Sequence, residues 1–222
     1  TRGPGATHAS CGVHIAAQDS TPMILFVGQI AREHKGREAF QEVDYAAVFG
    51  SMAKWAAEID DPARIPEMVA RAFQVATSGR PGPVVLALPE DVLDNMVECV
   101  DAAPYRAVAA APRAEDAQAL ASALRAAERP LVIAGGANWT EATVRDFAAF
   151  VHAWDLPVAC AFRRQDVLDN RDPHYVGHLS LGVNPKLAER VETADLIVAF
   201  GTRLGDIATD GYTMLEVPRP KQ

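Results

Sequence analysis

Three short groups of residues have types and spacings suited to ligand chemistry. Gly3-Pro4-Gly5-Ala6-Thr7 stands at the start of the chain. Without a Cβ, Gly3 and Gly5 let the backbone bend sharply or come close to a ligand, and Pro4 fixes φ between them. Thr7 is placed to cap a following helix, whose free N–H groups suit a phosphate or another anion. Gly28-Gln29 closes the apolar run Met23–Val27; in an open α/β sheet, ligands bind at the C-terminal ends of the strands. Ala39-Phe40-Gln41-Glu42-Val43-Asp44 is a polar loop carrying an amide. Taken singly, Gly3-Pro4-Gly5 reads as a tight turn and Gln41 as a solvated loop amide.

Elsewhere the chemistry is thinner. Gly135-Gly136 follows an apolar run but lacks G-x-G-x-x-G, which argues against dinucleotide binding of the NAD type. His174 and His178 are four apart, but Gly177 and the lack of a helical pattern argue against a metal pair, and no metal site is expected in the chain. Arg163 and Arg164 beside a strand end suit a solvated loop or an anion clamp. Cys11, Cys99 and Cys160 are isolated, with no C-x-x-C, as in the reduced thiols of a cytoplasmic protein, and Cys160 belongs to a core strand. A net charge of −8 over 222 residues argues against nucleic acid or an anionic membrane surface as partner. No stretch is apolar and long enough to span a bilayer, and no signal peptide is visible. At 49% hydrophobic and 23% charged, the chain has the composition of a globular protein of one or two domains with a sizeable core.

The elements that must position these groups follow from periodicity. After Thr7, the small-residue run His8–Gln18 predicts a helix that packs closely. Asp19-Ser20-Thr21-Pro22 is a turn, and Met23–Val27 reads as a strand covered on both faces. Ile30–Glu38 is expected as a surface loop, Val43–Phe49 as a short helix and Ala53–Ile59 as a weak strand. In the helix Pro62–Thr77, Ile65, Met68, Val69, Ala72, Phe73 and Ala76 share one face. Val84–Leu88 is a buried parallel strand. The Ala-rich stretch within Met96–Pro112 separates two periodic regions, giving domains at 1–98 and 114–222 with a connector at 99–113. Beyond it come a helix at Ala114–Ala127, strands at Pro130–Ala134 and Pro157–Ala161, and a helix from the Thr140 cap to Trp154. A helix at Pro185–Thr193 and a strand at Asp195–Phe200 complete the pattern. Strands alternating with helices predict an α/β fold of two doubly wound parallel sheets. The tail Glu216–Gln222 is polar and Pro-broken.

Together the motifs resemble the thiamine-diphosphate-dependent enzymes, in the acetolactate synthase-like branch. Gly3-Pro4-Gly5-Ala6-Thr7, Gly28-Gln29, Ala39-Phe40-Gln41-Glu42, Ser78-Gly79-Arg80-Pro81-Gly82-Pro83 and Leu88-Pro89-Glu90-Asp91-Val92 stand in the order of that family's pyrimidine-binding domain. One departure is His8, where the family usually has Asn. Residues 114–222 are similar to the family's central domain through Leu131–Ala134 with Gly135-Gly136, Gly177–Gly182, and Asp195-Leu196-Ile197 through Gly201-Thr202-Arg203. Thr1 opens inside a motif, so a fragment of a longer protein is expected. The catalytic Glu would lie upstream of it, and the domain holding the diphosphate and Mg²⁺ would lie downstream.

The resemblance implies a site for the thiamine diphosphate pyrimidine at Gly3, Pro4 and Gly5. It implies a 2-oxo acid substrate that is decarboxylated with or without carboligation, the fragment alone being inactive. Gln41 would offer amide hydrogen bonds to the substrate, Phe40 an apolar wall, and Gln29 a polar group at the strand end. The site would form between subunits of a homodimer or homotetramer. In the central domain, relatives hold FAD, ADP or nothing. Arg80 and Arg203 match nucleotide-contacting residues, with Gly135-Gly136 beside them, although Arg80 between Gly79 and Pro81 equally suits an interdomain anchor. Phe162-Arg163-Arg164-Gln165-Asp166 replaces a glycine-rich loop, which argues against FAD and leaves room for ADP. The competing expectation is a non-catalytic nucleotide-binding or structural α/β module that keeps the fold without the chemistry.

Overall fold

The computed structural model describes residues 1–108, 110–137 and 139–215. The chain forms two compact units, Thr1–Ala110 and the part from Ala111 onward.

In the first unit, β1 (Met23–Gln29), β2 (Trp55–Glu58) and β3 (Pro83–Pro89) pair in parallel in the order β1-β3-β2. The apolar run of β3 takes the centre, where neighbouring strands satisfy both backbone edges and helices cover both faces. Val84, Val85, Leu86 and Ala87 are all buried. The β1 strand lies at the edge, so the expected burial on both faces fails at Phe26, which stays 48% exposed. One face carries α1 (Gly3–His8), α2 (Ser10–Asp19) and α3 (Tyr45–Phe49), whose Ala6, Val13, Tyr45 and Phe49 pack on Val27, Val85 and Ala87. The other face carries α4 (Ile65–Thr77), which seats Met68, Ala72 and Ala76 on Val84 and Leu86. Burying a side chain such as Phe49 or Leu86 contributes ~1.5–3 kcal/mol. The short helix α5 (Glu90–Asp94) follows β3.

Several local expectations give way to packing. Gly3-Pro4-Gly5 is the first turn of α1 rather than a tight turn, with the proline where a missing N–H costs nothing. Thr7 does not cap the next helix; it lies inside α1 and its hydroxyl donates to the carbonyls of Gly3 and Pro4 at 3.0 and 2.9 Å. Ile30 and Ala31, expected in a surface loop, are buried. Phe73, expected inward on α4, is 45% exposed and stacks on Tyr105 with ring centroids 6.0 Å apart.

In the second unit, β4 (Pro130–Ala134), β5 (Val158–Cys160), β6 (Tyr175–His178) and β7 (Leu196–Phe200) form a parallel sheet ordered β6-β5-β4-β7. Alternation divides the core. Val132, Ala134, Val158 and Cys160 meet Leu124 of α6 (Ala114–Ala126) and Phe147 and Val151 of α7 (Glu141–Trp154). Leu131, Ile133, Ala159 and Ala161 meet Leu187 and Val191 of α8 (Pro185–Thr193) on the opposite face. Thr140 and Thr143 close a reciprocal cap at the start of α7. Burial pushes the Cys160 thiol up to about 11. The sequence pattern does not signal β6, because a bulge interrupts its pairing with β5 and Gly177 sits at φ +126° in its middle. Strand order reverses at β4, where β5 and β7 leave on opposite sides. The expectation for Glu216–Gln222 lies outside the described residues.

Candidate functional site

At the C-terminal edge of the first sheet, backbone hydrogen bonds gather the two leading sequence groups. Gly28 N–H donates to Thr1 O at 2.8 Å, which lays the segment before α1 along the open edge of β1. Gly3 N–H in turn donates to Gln41 O at 3.4 Å. Gln29 is 4% exposed beneath them. Its Nε2 donates to Val43 O at 2.8 Å and to Glu58 Oε2 at 3.2 Å, and its Oε1 accepts from Ile30 N–H at 3.0 Å. The amide of Gln29 therefore ties the end of β1 to the end of β2. Glu58 also accepts from Lys35 Nζ at 3.0 Å, a structural role that its place in a weak strand did not announce.

The loop that carries Phe40 and Gln41 is folded by Glu42. The carboxylate accepts from Gly36 N–H at 2.6 Å and Ala39 N–H at 3.0 Å, and these two donors hold its pKa below the ordinary range. Gly36, Glu38 and Gln41 take φ of +76°, +57° and +67°, so two non-glycine residues sit in a left-handed conformation that costs each of order 1–2 kcal/mol. The result stands Phe40 out at 79% exposure. Among the described residues, the side-chain amide of Gln41 makes no hydrogen bond. Close by in sequence, Tyr45 is buried with its hydroxyl unsatisfied among the described residues. Burial raises its pKa; the Arg2 charge opposes that rise and the Glu58 charge adds to it. The signal for Glu42 was available as an acid six residues after a glycine in a polar loop, but spacing alone does not say which N–H groups it will reach.

In the second unit, the loops leaving the C-terminal ends of β4 and β7 meet where strand order reverses. Gly135 and Gly136 from β4 face Gly201 and Thr202 from β7. A Cβ on Gly136, at φ +78°, would lie 1.7 Å from Gly201 O. These glycines are thus required by loop packing on loop, and Trp139 Nε1 closes the corner by donating to Gly135 O at 2.9 Å. Arg203 is exposed just beyond. At the end of β5, Arg163 has φ +63° and stacks its guanidinium 4.9 Å from the Phe162 ring centre. Arg164 pairs with Asp166 at 3.3 Å, while its Nε–H is buried without an acceptor among the described residues. Arg80 belongs to the first unit. It closes the C-terminal end of α2 by donating to Ser20 Oγ, Ala17 O and Gln18 O at 2.8, 2.6 and 3.1 Å. His174 pairs with Asp172 and Asp155, whereas His178 is the last residue of β6.

Two family models match the chain. The thiamine pyrophosphate enzyme central domain matches residues 117–222, and the N-terminal TPP binding domain of the same enzymes matches residues 1–48. The chain belongs to the thiamine pyrophosphate enzyme family. It is similar to acetolactate synthase large subunits from Parasynechococcus marenigrum, at 32% identity over 94% of this chain and 35% of that protein, and from Lactococcus lactis, at 33% over 93% and 36%. The isozyme 3 large subunit of Escherichia coli is 32% identical over 95% of this chain and 38% of its own length. The chain thus spans little more than a third of the length of these relatives. In this thiamine pyrophosphate enzyme chain, the N-terminal match takes in α1, α2, β1 and the Gln41 loop. The central-domain match takes in all four strands of the second sheet. Among the described residues, no helix is long and apolar enough to cross a membrane.

Proposed function

We propose that this chain supplies the pyrimidine-side edge of a thiamine-diphosphate-dependent enzyme acting on a 2-oxo acid, by decarboxylation with or without carboligation. The observation that carries the reading is the Gln41 loop: an amide with no bond among the described residues, beside an exposed aromatic ring, on a backbone held by Glu42 and Gly3. It stands at the ligand-binding end of a parallel sheet. There Gly3, Pro4 and Gly5 would form the floor under the pyrimidine and Phe40 an apolar wall. Bound thiamine diphosphate supplies an electron sink for carbanion chemistry at a carbonyl. Gln41 then orients the substrate through its amide, and Phe40 excludes water from the reacting carbonyl. Gln29 positions the strand ends and does not touch substrate. The diphosphate and its Mg²⁺ are held outside this chain, and the whole enzyme works as a homodimer or homotetramer in the cytoplasm. The similarity to acetolactate synthase large subunits supports this reading of the substrate class.

The C-terminal ends of β4, β5 and β7 would hold an ADP-like nucleotide rather than FAD. Arg203, Arg163 and the unsatisfied Nε–H of Arg164 stand at strand ends where an anionic diphosphate binds well. The loop after β5 carries long charged side chains where an isoalloxazine would need open space.

The decisive experiment is Gln41→Ala beside Gln41→Gly in the enzyme that contains this chain. Both lose the amide, and glycine accepts the left-handed backbone. Turnover of 2-oxo acids is expected to drop about 10- to 100-fold in both, the worth of one hydrogen bond to a charged group. Unchanged turnover in both variants across a panel of 2-oxo acids overturns the assignment.

A further inference from the structure

The N-terminal end of the second sheet carries a group of side chains that the proposed chemistry does not use. His152 comes from the last turn of α7, Asp172 and His174 from the segment entering β6, and Asp155 from the left-handed residue that ends α7. Asp172 binds both rings: its Oδ2 lies 2.7 Å from His152 Nε2 and its Oδ1 lies 3.0 Å from His174 Nδ1. The ring centres are 4.9 Å apart. Among the described residues, this is the one set of three or more histidine, cysteine or acidic side chains whose donor atoms converge, all within 4.8 Å of one another.

We propose that His152, Asp172 and His174 form a structural site for a divalent transition metal of the zinc class, which clips the end of α7 to the start of β6. Two imidazoles with one carboxylate are a donor set that zinc accepts, leaving a fourth position for water. The ligand bonds of ~2.0–2.2 Å would hold the donors roughly 3–3.5 Å apart, and the half-exposed His152 ring is free to turn inward by that much. The surroundings match what a metal-bound histidine needs. His174 Nε2 lies 3.0 Å from Asp155 Oδ1, so the far nitrogen of the ring is held by a carboxylate while Nδ1 faces the site. Asp172 Oδ1 also accepts the His174 backbone N–H at 2.9 Å, fixing the carboxylate. The backbone beneath is rigid, because Val158 N–H of β5 donates to His174 O at 2.8 Å. Lying at the N-terminal ends of β5 and β6, the site is remote from the strand ends where nucleotide or substrate would bind, which makes its role stabilising rather than catalytic.

The test is calorimetric titration of the untagged 222-residue chain with Zn²⁺ alone near neutral pH, with the exposed thiols of Cys11 and Cys99 first blocked by N-ethylmaleimide. One Zn²⁺ per chain is expected, with a dissociation constant of about 10 μM or tighter. Binding weakens at least about 10-fold in His152→Ala and in Asp172→Asn, as loss of one ligand requires, and is unchanged in His34→Ala. The melting temperature rises with Zn²⁺ in the unmodified protein and not in His152→Ala. His152 is half exposed, so that variant keeps its fold, which far-UV circular dichroism checks. Absence of saturable binding below about 1 mM, or binding that survives both His152→Ala and Asp172→Asn, overturns the proposal.

Discussion

At the residue scale, the candidate site depends on a carboxylate that does no chemistry. Glu42 reaches back to Gly36 and Ala39 and so decides where Phe40 and Gln41 stand. Both N–H donors favour the charged form, so the folded pKa lies below the unfolded one. A depressed carboxylate pKa contributes order that is fully present above the unfolded value, roughly pH 4.3, and is lost as pH falls through the folded value. Hydrogen-exchange protection of the Gly36 and Ala39 amides is therefore expected to decline below that pH. In Glu42→Gln, which keeps shape but not charge, protection at neutral pH is expected to be about 3- to 10-fold lower, with no acid step remaining. Equal protection in the two proteins at every pH would show that the loop is held by its neighbours instead. Gln41 and Gly3 were legible in the sequence as members of ordered strings. Gln29 was legible only as a polar residue at a strand end, because nothing in spacing says that Val43 O and Glu58 will take up its amide.

At the element scale, the helices were legible and the strands less so. The helix face of α4, Phe73 apart, and the Thr140 cap of α7 are written in residues three or four apart, so local sequence contains most of their pattern. A strand's burial depends instead on which neighbours it meets. Met23–Val27 and Val84–Leu88 look alike as apolar runs, yet one is an edge and the other a centre. The β6 strand hid behind Gly177 and a bulge. The loops after β4 and β7 repeat the lesson, since their glycines serve contact between the two loops. With Arg163 stacked on Phe162 and Arg164 paired to Asp166, the proposed ligand is a nucleotide smaller than FAD. The purified enzyme is expected to lack the visible flavin absorbance and to bind ADP saturably, weakened in Arg203→Ala. A yellow protein with stoichiometric flavin refutes this. Arg80→Ala is the less informative variant, because that side chain already closes α2.

At the scale of the whole molecule, this chain holds two α/β units and spans little more than a third of the length of the acetolactate synthase large subunits it matches. Under the proposed function, the diphosphate and its Mg²⁺ lie on a domain outside residues 1–222. Titration of this chain with thiamine diphosphate and Mg²⁺ is accordingly expected to show no binding at micromolar concentration, a level that requires about −8 kcal/mol. Micromolar affinity in calorimetry would place the diphosphate site within these residues and contradict the division.

The sequence by itself determined the family, the α/β class and most of the order of helices and strands, with α1, α5 and β6 the exceptions, because these rest on local strings and on periodicities of 3.6 and 2. It also marked Gly3 and Gln41, although they lie 38 positions apart by number. Only the tertiary structure decided that a backbone hydrogen bond joins these two, that Arg80 closes a helix, and that His174 meets His152 rather than His178. Each of those outcomes turns on a contact between distant segments, and such contacts are set by sheet order and strand register, which no local pattern encodes.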